Sequence, residues 1–388
     1  MIIGVPRETY PDETRVALTP ETAGALAGRE EITAVLIEHE AGAGAGFADA
    51  AYSEKGCTPI ADRGELFTQA DTVLQVRTLG ANPEAGQVDL PHCRPDQVFI
   101  GLADALNPPP LLAELAQRGS SLLAMELMPR ITRAQSMDVL SSMATLAGYK
   151  AVLLGAATLP RIFPLLMTAA GTLTPTRLLV LGAGVAGLQA IATARRLGAV
   201  VSAYDVRPAV AEQIQSLGAQ FVDLGLETEQ AEDTGGYATA QSDDFSQRQQ
   251  EALSQVVAQN QVVIATAAIP GQPAPKLITA EAVAAMEPGS VIVDLAAETG
   301  GNCALTRPGE TVVEHGVHIL GPRSLPTTLP YHASRMYAHN ISTFFQYLSE
   351  SGTLHIDPEN EITGATLVAH KGQIVHPQVS ALIDAPRG

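Results

Sequence analysis

The sequence predicts an α/β protein of two doubly wound, parallel-sheet domains with a cleft between them, and three observations predict it. Residues 1 to about 130 alternate short apolar runs with helix-forming segments. A second region, 177 to about 325, opens on an apolar run that ends in a glycine-rich turn and then repeats the alternation. A long helical stretch after Pro326 and Pro330 returns the chain toward the first region. Strands that alternate with helices pair in parallel, because each helix carries the chain back across the sheet before the next strand begins.

Taken in order, Ile2–Val5, Thr33–Ile37, Thr72–Gln75, Val98–Leu102 and Ser121–Ala124 read as strands. Pro20–Ala27 and Pro109–Gln117 read as helices, with Thr19 and Asn107 as their caps. Thr132 to Ala157, just after Pro129, reads as a connecting helix. Leu178–Leu181, Ala199–Ala203, Val262–Thr266, Ser290–Asp294 and His318–Leu320 read as the strands of the second domain, with a helix over Leu188–Leu197. Tyr331 to Leu348 reads as a long helix, and Thr353 to Pro377 as extended segments around turns. The division that follows is 1–138 plus 327–388 for the first domain and 139–326 for the second.

The glycine-rich turn is Gly182-Ala183-Gly184-Val185-Ala186-Gly187. In a strand–turn–helix setting the first glycine makes the tight turn, the second lets backbone approach a pyrophosphate, and the third lets helix pack close to strand. The helix that follows offers unpaired N–H groups and about +0.5 of a charge to the phosphates. Asp205 closes the next strand, where its carboxylate can accept hydrogen bonds from both ribose hydroxyls of an adenosine. It would repel a 2′-phosphate, which favours NAD(H) over NADP(H). Val206 and Arg207 complete that corner. An arginine there can accept a 2′-phosphate, and Asp205 weighs against it. The domain, and by its alternation the first domain too, therefore reads as Rossmann-like.

Bulk properties exclude several classes. With 388 residues and 46% hydrophobic content the chain can bury a large core. Only 23 basic residues stand against 41 acidic ones, which argues against nucleic acid and anionic lipid as partners. Cys57, Cys93 and Cys303 lack metal-ligand spacing and read as reduced thiols of a cytosolic protein. Met1 leads straight into a strand, without the basic segment of a signal peptide. The apolar region Ala151 to Ala170 is broken by Pro160, Arg161 and Pro164, so a soluble chain without a membrane span is expected.

Two segments interrupt the rhythm. Leu224 to Gln250 is polar, with Gly235, Gly236 and Tyr237 at its middle, and reads as a mobile loop: a lid over the nucleotide or a disordered stretch. Gly42-Ala43-Gly44-Ala45-Gly46 lacks the fingerprint spacing and reads as an ordinary strand–loop turn. Between the domains, a helix from Thr132 would put Gln135, Asp138 and Ser141 or Ser142 on one face, with Arg130 at its start. That polar stripe suits a ligand at a domain join, and it also suits a capped helix with a solvated face. After Thr266, Ala267 and Ala268 open a Pro/Gly-rich loop running through Pro270, Gly271, Pro273 and Pro275, where the two alanines could contact a nicotinamide ring.

At these residues the chain resembles the NAD(H)-binding component of the alpha subunit of proton-translocating nicotinamide nucleotide transhydrogenase, over essentially its whole length. The motifs that carry the resemblance are Arg15-Val16-Ala17 with Thr19-Pro20-Glu21, Pro129-Arg130-Ile131 with Arg133-Ala134-Gln135-Ser136, the fingerprint through Ala190, Gly236-Tyr237-Ala238, the loop Ile269 to Pro275, Gly289 to Ala296, and Gly300-Gly301-Asn302-Cys303. The resemblance implies direct hydride transfer between NADH bound here and NADP⁺ on a separate NADP(H)-binding component, coupled to proton translocation by a membrane component. It implies that Arg130, Gln135, Asp138 and Ser141 surround the nicotinamide end, that Gln135 reaches toward the incoming NADP(H), and that Tyr237 sits on the lid beside Gly236. It implies a homodimer, and a location peripheral to the cytoplasmic membrane through partner subunits.

Alanine dehydrogenase shares the two-domain framework and Arg15, and it is the alternative. Amino-acid oxidation needs a base and a cation near the substrate, typically a His and a Lys. By local alignment those positions are Leu102 and Gln75 here. Hydride exchange between two nicotinamides needs no protonic group, only close placement and exclusion of water. The sequence fits transhydrogenation better.

Overall fold

A computed structural model describes residues 1–226, 242–269 and 271–384. The chain forms two compact units, residues 1–143 with 327–388, and residues 144–326.

The first unit is built on strands β1 (Ile2–Val5), β2 (Ala34–Glu38), β3 (Thr58–Ile60), β4 (Thr72–Arg77), β5 (Val98–Leu102) and β6 (Ser121–Ala124). They pair in parallel in the order 3-2-1-4-5-6, and the late strands Leu367–His370 and Gln373–Ile374 extend the β6 edge antiparallel. Ile3, Val5, Val73, Leu74, Phe99 and Ile100 are fully buried, as strands covered on both faces require. The Pro20–Ala27 helix begins on Thr19, whose hydroxyl accepts the Thr22 N–H while the Thr22 side chain returns a bond to the Thr19 N–H. The helix expected from Pro109 starts at Leu111, and Asn107 does not cap it; the Asn107 amide donates to Asp104 instead. Pro330–Leu348 is a single helix that buries Tyr337, Ile341, Phe344 and Phe345 in this unit's core. The tail is less extended than the sequence suggests, because Asn360 caps a helix at Glu361–Thr366 through the N–H groups of Ile362 and Thr363.

In the second unit β7 (Arg177–Leu181), β8 (Val200–Tyr204), β9 (Gln220–Phe221), β10 (Val262–Ala265), β11 (Val291–Asp294), β12 (Thr311–Glu314) and β13 (Val317–Leu320) form one sheet in the order 9-8-7-10-11-13-12. Only β12 runs antiparallel. From β7 the chain winds outward to β8 and β9, then crosses to β10 on the other side. The carboxyl ends of β7 and β10 therefore flank the switch point, where doubly wound sheets take their ligands. The segment read as a loop from Leu224 to Gln250 is helical over its last part: the Asp243–Ala258 helix starts on Ser242, whose hydroxyl accepts the Phe245 N–H. Gly236 and Tyr237 lie outside the described residues, as does Pro270.

The connecting helix begins later than the sequence suggests. Thr132–Met137 is a 3₁₀ segment, Asp138 has extended backbone with ψ 95°, and the α-helix proper is Val139–Thr158. This helix is long and apolar enough by itself to cross a membrane. It is also a core helix in part, since Val139, Ala151 and Val152 are buried.

Candidate functional site: a dinucleotide cradle at the second sheet's carboxyl edge

The fingerprint turn leaves β7 with Gly182 at φ 91°, a left-handed conformation natural only to glycine. The Gly182 N–H donates to the Tyr204 carbonyl at 2.8 Å, and Thr266 at the end of β10 donates its hydroxyl to the Gly182 carbonyl at 2.9 Å. A Cβ on Gly187 would stand 1.9 Å from the Gly182 carbonyl oxygen, so close packing of helix on strand demands glycine there. Gly184 is different: a Cβ there would meet nothing within 4 Å, and the residue is exposed. The bare surface at Gly184 is the space a pyrophosphate needs.

The helix Val185–Arg196 starts directly on Gly184 with no side chain capping it. The N–H groups of its first turn, from Val185, Ala186 and Gly187, point along a helix dipole that favours an anion. A Cβ on Gly148, in the Val139–Thr158 helix, would lie 2.1 Å from the Ala186 carbonyl oxygen. Gly148 thus lets that helix press against the loop from behind. Nothing in the sequence distinguished Gly148 from an ordinary helical glycine.

Asp205 is buried and fully engaged. One carboxylate oxygen accepts the Ala183 N–H at 2.7 Å and an Arg207 guanidinium N–H at 2.9 Å; the other accepts the Arg207 backbone N–H and Nε, both at 2.9 Å. The acid therefore ties the fingerprint loop to the end of β8, a role the spacing alone did not reveal. Val206, between Asp205 and Arg207, is half-buried.

Across the switch point, Ala267 is half-buried and Ala268 exposed. Asn302 grips the peptide of Ala267 on both sides: its Oδ1 accepts the Ala267 N–H at 3.0 Å, and its Nδ2 donates to the Ala267 carbonyl at 2.8 Å. Nδ2 also donates to the Pro275 carbonyl at 2.9 Å. Sequence reading gave Asn302 no role, although it stands in one of the motifs that carried the resemblance.

The polar residues predicted around the nicotinamide end lie in and just after the 3₁₀ segment of the first unit. Arg130 and Gln135 are exposed. The expected single helical face is corrected by the break at Asp138. Its carboxylate caps the following helix, accepting the Ser141 N–H at 2.9 Å and the Ser141 hydroxyl at 2.5 Å. Asp138 and Ser141 are thus bonded to each other, whereas Gln135 sits on a separate turn. That turn is pinned by Asn340, whose amide donates to the Ser136 carbonyl at 2.8 Å. Buried Ala134 and Met137 hold it against the unit's core.

The first sheet has its own switch point, between β1 and β4, and fills it internally. Arg15, 3% exposed, donates from Nε and one terminal nitrogen to the two oxygens of Glu13 at 2.7 and 2.6 Å; Arg77 Nε adds a third bond at 3.0 Å. Burial opposes charge on Glu13, but Arg15 and Arg77 outweigh it and hold the carboxyl below its usual range. Glu8 accepts the Val76 N–H at 2.6 Å and the Arg77 N–H at 3.2 Å. Burial, and then the neighbouring Glu13 charge, push its pKa up to about 8. Gln75 is buried, its Oε1 without a partner among the described residues, and Leu102 is half-buried. Neither supplies the base or the cation that amino-acid oxidation requires.

These features define a dinucleotide-binding α/β protein, and the comparisons with known proteins place it in a family. Residues 4–147 match the model of the family described as alanine dehydrogenase/PNT, N-terminal domain, and residues 151–377 that of its C-terminal domain. The chain belongs to the alanine dehydrogenase/PNT family. It is 44% identical over 383 residues to the first of the separate chains of NAD(P) transhydrogenase subunit alpha in Rhodospirillum rubrum, covering 98% of this chain and 99% of that one. The solved transhydrogenase from Sinorhizobium meliloti matches with TM-score 0.85 and 39% identity over 97% of this chain and all of the other (100%). A solved L-alanine dehydrogenase is more distant, at TM-score 0.79 and 25% identity over 99% of each chain. Within the family the resemblance is therefore to transhydrogenase alpha subunits.

Proposed function

We propose that this chain is the NAD(H)-binding subunit of a proton-translocating transhydrogenase. The observation that carries the reading is the cradle at the switch point of the second sheet: bare Gly184, an uncapped helix start and Asp205 at the adenosine corner. NADH held there supplies a hydride, which passes directly to NADP⁺ on a separate NADP(H)-binding component. A membrane component couples the exchange to proton translocation. This chain then acts peripherally at the cytoplasmic face of the membrane, through its partners.

The residues do the following. Gly182 to Gly187 receive the pyrophosphate, and Asp205 receives the adenosine ribose, with Val206 and Arg207 completing that corner. Ala267 and Ala268 give the nicotinamide an apolar wall. Arg130, Asp138 and Ser141 orient the nicotinamide end, Gln135 faces the partner's nucleotide, and Gly236 and Tyr237 belong to a loop that closes over NADH. No residue of this chain has to move a proton, because a hydride lost by one nicotinamide is gained whole by the other. What the chain must supply is placement, with the reacting carbons about 3–3.5 Å apart and water excluded. The buried Gln75 and the aliphatic Leu102 agree with that requirement and disagree with amino-acid oxidation.

Mixing the protein with an NADP(H)-binding component and following hydride exchange to an NAD analogue tests the reading. Rapid exchange is expected in the mixture and none from either component alone. Oxidation of L-alanine would overturn it. We also assign a homodimer, supported by the hairpin Leu166–Thr168/Gly171–Leu173, where Leu166, Met167 and Leu173 are 42%, 73% and 51% exposed. The M167D variant should sediment as a monomer at concentrations where the parent is dimeric, and an unchanged mass would remove the hairpin from the interface.

A further inference from the structure

The loop after β10 carries Ala267 and Ala268, and by its sequence it should wander: it runs through Pro270, Gly271, Pro273 and Pro275 with no strand or helix to hold it. One side chain closes it at both ends. Asn302 is 0% exposed and has spent its whole hydrogen-bonding capacity on this loop, one acceptor to the Ala267 N–H and two donors to the Ala267 and Pro275 carbonyls. Its own carbonyl accepts the N–H groups of Leu277 and Ile278 at 2.8 and 3.0 Å, so the chain beyond Pro275 is anchored on the same residue.

Asn302 is itself held from the sheet. Asp294, the last residue of β11 and 0% exposed, accepts the N–H groups of Ala296 and Cys303 and the Thr306 hydroxyl, at 3.0, 2.9 and 2.7 Å. Gly300 and Gly301 turn the chain to deliver Asn302, with φ 104° and 79°. A Cβ on Gly301 would lie 2.8 Å from the Asp294 carboxylate. A rigid line therefore runs from the end of β11 through Asp294 and the glycine pair to Asn302, and from Asn302 to the Ala267 peptide.

We propose that Asn302 is the positioning residue that fixes the depth of Ala267 and Ala268, and hence of the nicotinamide they wall, for hydride transfer. This deepens the function proposed above and rests on it. Asn302 touches no reacting atom in this scheme; it acts through the Ala267 peptide. Displacement of about 1 Å in such a support costs roughly a hundredfold in rate while leaving most of the binding surface intact. NADH makes its other contacts at Gly182–Gly187 and Asp205, which Asn302 does not touch, so affinity and rate should separate.

The test uses the protein with its NADP(H)-binding partner and two variants, N302L and N302D. For N302L the single-turnover hydride-transfer rate should fall about 10- to 100-fold, while NADH affinity, read by quenching of NADH fluorescence, changes less than about threefold. The N302D side chain keeps the acceptor for the Ala267 N–H but sets a carboxylate oxygen against two carbonyls. Its rate should rise as pH falls, because protonation restores one donor, a pH dependence that loss of stability alone would not give. Should N302L lose affinity and rate in proportion, or N302D show the parent's pH profile, Asn302 is a structural residue only and the proposal fails. Should the parent protein fail to bind NADH or to exchange hydride, the underlying function fails and this proposal with it.

Discussion

Replacing Asp205 separates two roles that the structure joins in one carboxylate. Four N–H donors converge on it, at 2.7 Å from Ala183 and 2.9 Å from three groups of Arg207. In NADH binding the same oxygens must receive ribose hydroxyls, and the Arg207 guanidinium is the donor able to swing away, since the Ala183 N–H is fixed in the fingerprint loop. A hydrogen bond to a charged group is worth about 1.5–3 kcal/mol. Asp205→Ala should therefore weaken NADH roughly 10- to 150-fold. Alanine also leaves the buried Ala183 N–H unpaired, which costs stability by about 1–3 kcal/mol. Asp205→Asn keeps one acceptor for Ala183 and removes the charge, so it should melt closer to the parent yet still bind NADH poorly. It also releases Arg207, and affinity for NADPH relative to NADH should rise. Fluorescence titration with both nucleotides, beside thermal melts, reads all of this. Unchanged NADH affinity in both variants would refute the ribose assignment.

Three further outcomes follow from particular contacts. Gln135→Asn should slow hydride exchange far more than it weakens NADH binding, and equal losses would make Gln135 a simple NADH ligand. Gly187→Ala drives a methyl to 1.9 Å from the Gly182 carbonyl and should lower stability by about 1–3 kcal/mol or more, whereas Gly184→Ala should melt like the parent and lose NADH affinity; similar melting of the two would contradict the geometry. Glu8, with its pKa pushed up from 4.5 to about 8, keeps a proton in the folded state that the unfolded chain releases. Its contribution to stability is full below pH 4.5 and lost as pH rises to 8, with a slope of at most about 1.4 kcal/mol per pH unit. Glu8→Gln should flatten that slope in urea melts between pH 5 and 8, while the similarly raised Glu126 keeps part of it, and an unchanged slope would show Glu8 ionised throughout.

Much of the architecture was legible because parallel strands are covered on both faces and so write themselves as apolar runs. Ile2–Val5, Val98–Leu102 and Ser121–Ala124 could be placed to the residue. The fingerprint was legible because each glycine answers a distinct steric demand. What escaped was chemistry without a period. Asp138 ends one helical segment and caps the next, a break that the spacing of Gln135, Asp138 and Ser141 conceals. The helix at Asp243–Ala258 hid behind a polar composition that resembles a loop. Gly148 and Asn302 act on partners 38 and 35 residues away, at Ala186 and Ala267, and no local pattern announces such contacts.

The two sheets share the order 3-2-1-4-5, yet only one of them is built as a nucleotide cradle, and the residues after the first strand explain the difference. After β7 come three glycines, a bare surface and an uncapped helix. After β1 come Pro6, Arg7 and Glu8, and the Glu8 carboxyl takes the Val76 and Arg77 N–H groups at the switch point for itself. Glu13 then consumes the positive charge of Arg15 and Arg77. The glycine cluster Gly42 to Gly46 cannot make good the loss, because it follows β2 rather than β1. Its glycines serve packing instead: a Cβ on Gly42 would meet the Tyr52 hydroxyl at 2.6 Å, and one on Gly44 the Thr14 carbonyl at 2.9 Å. A phosphate approaching the first switch point would meet carboxylates that already hold the local donors. Topology offers each unit a ligand edge, and the first few side chains beyond the first strand decide whether that edge is open.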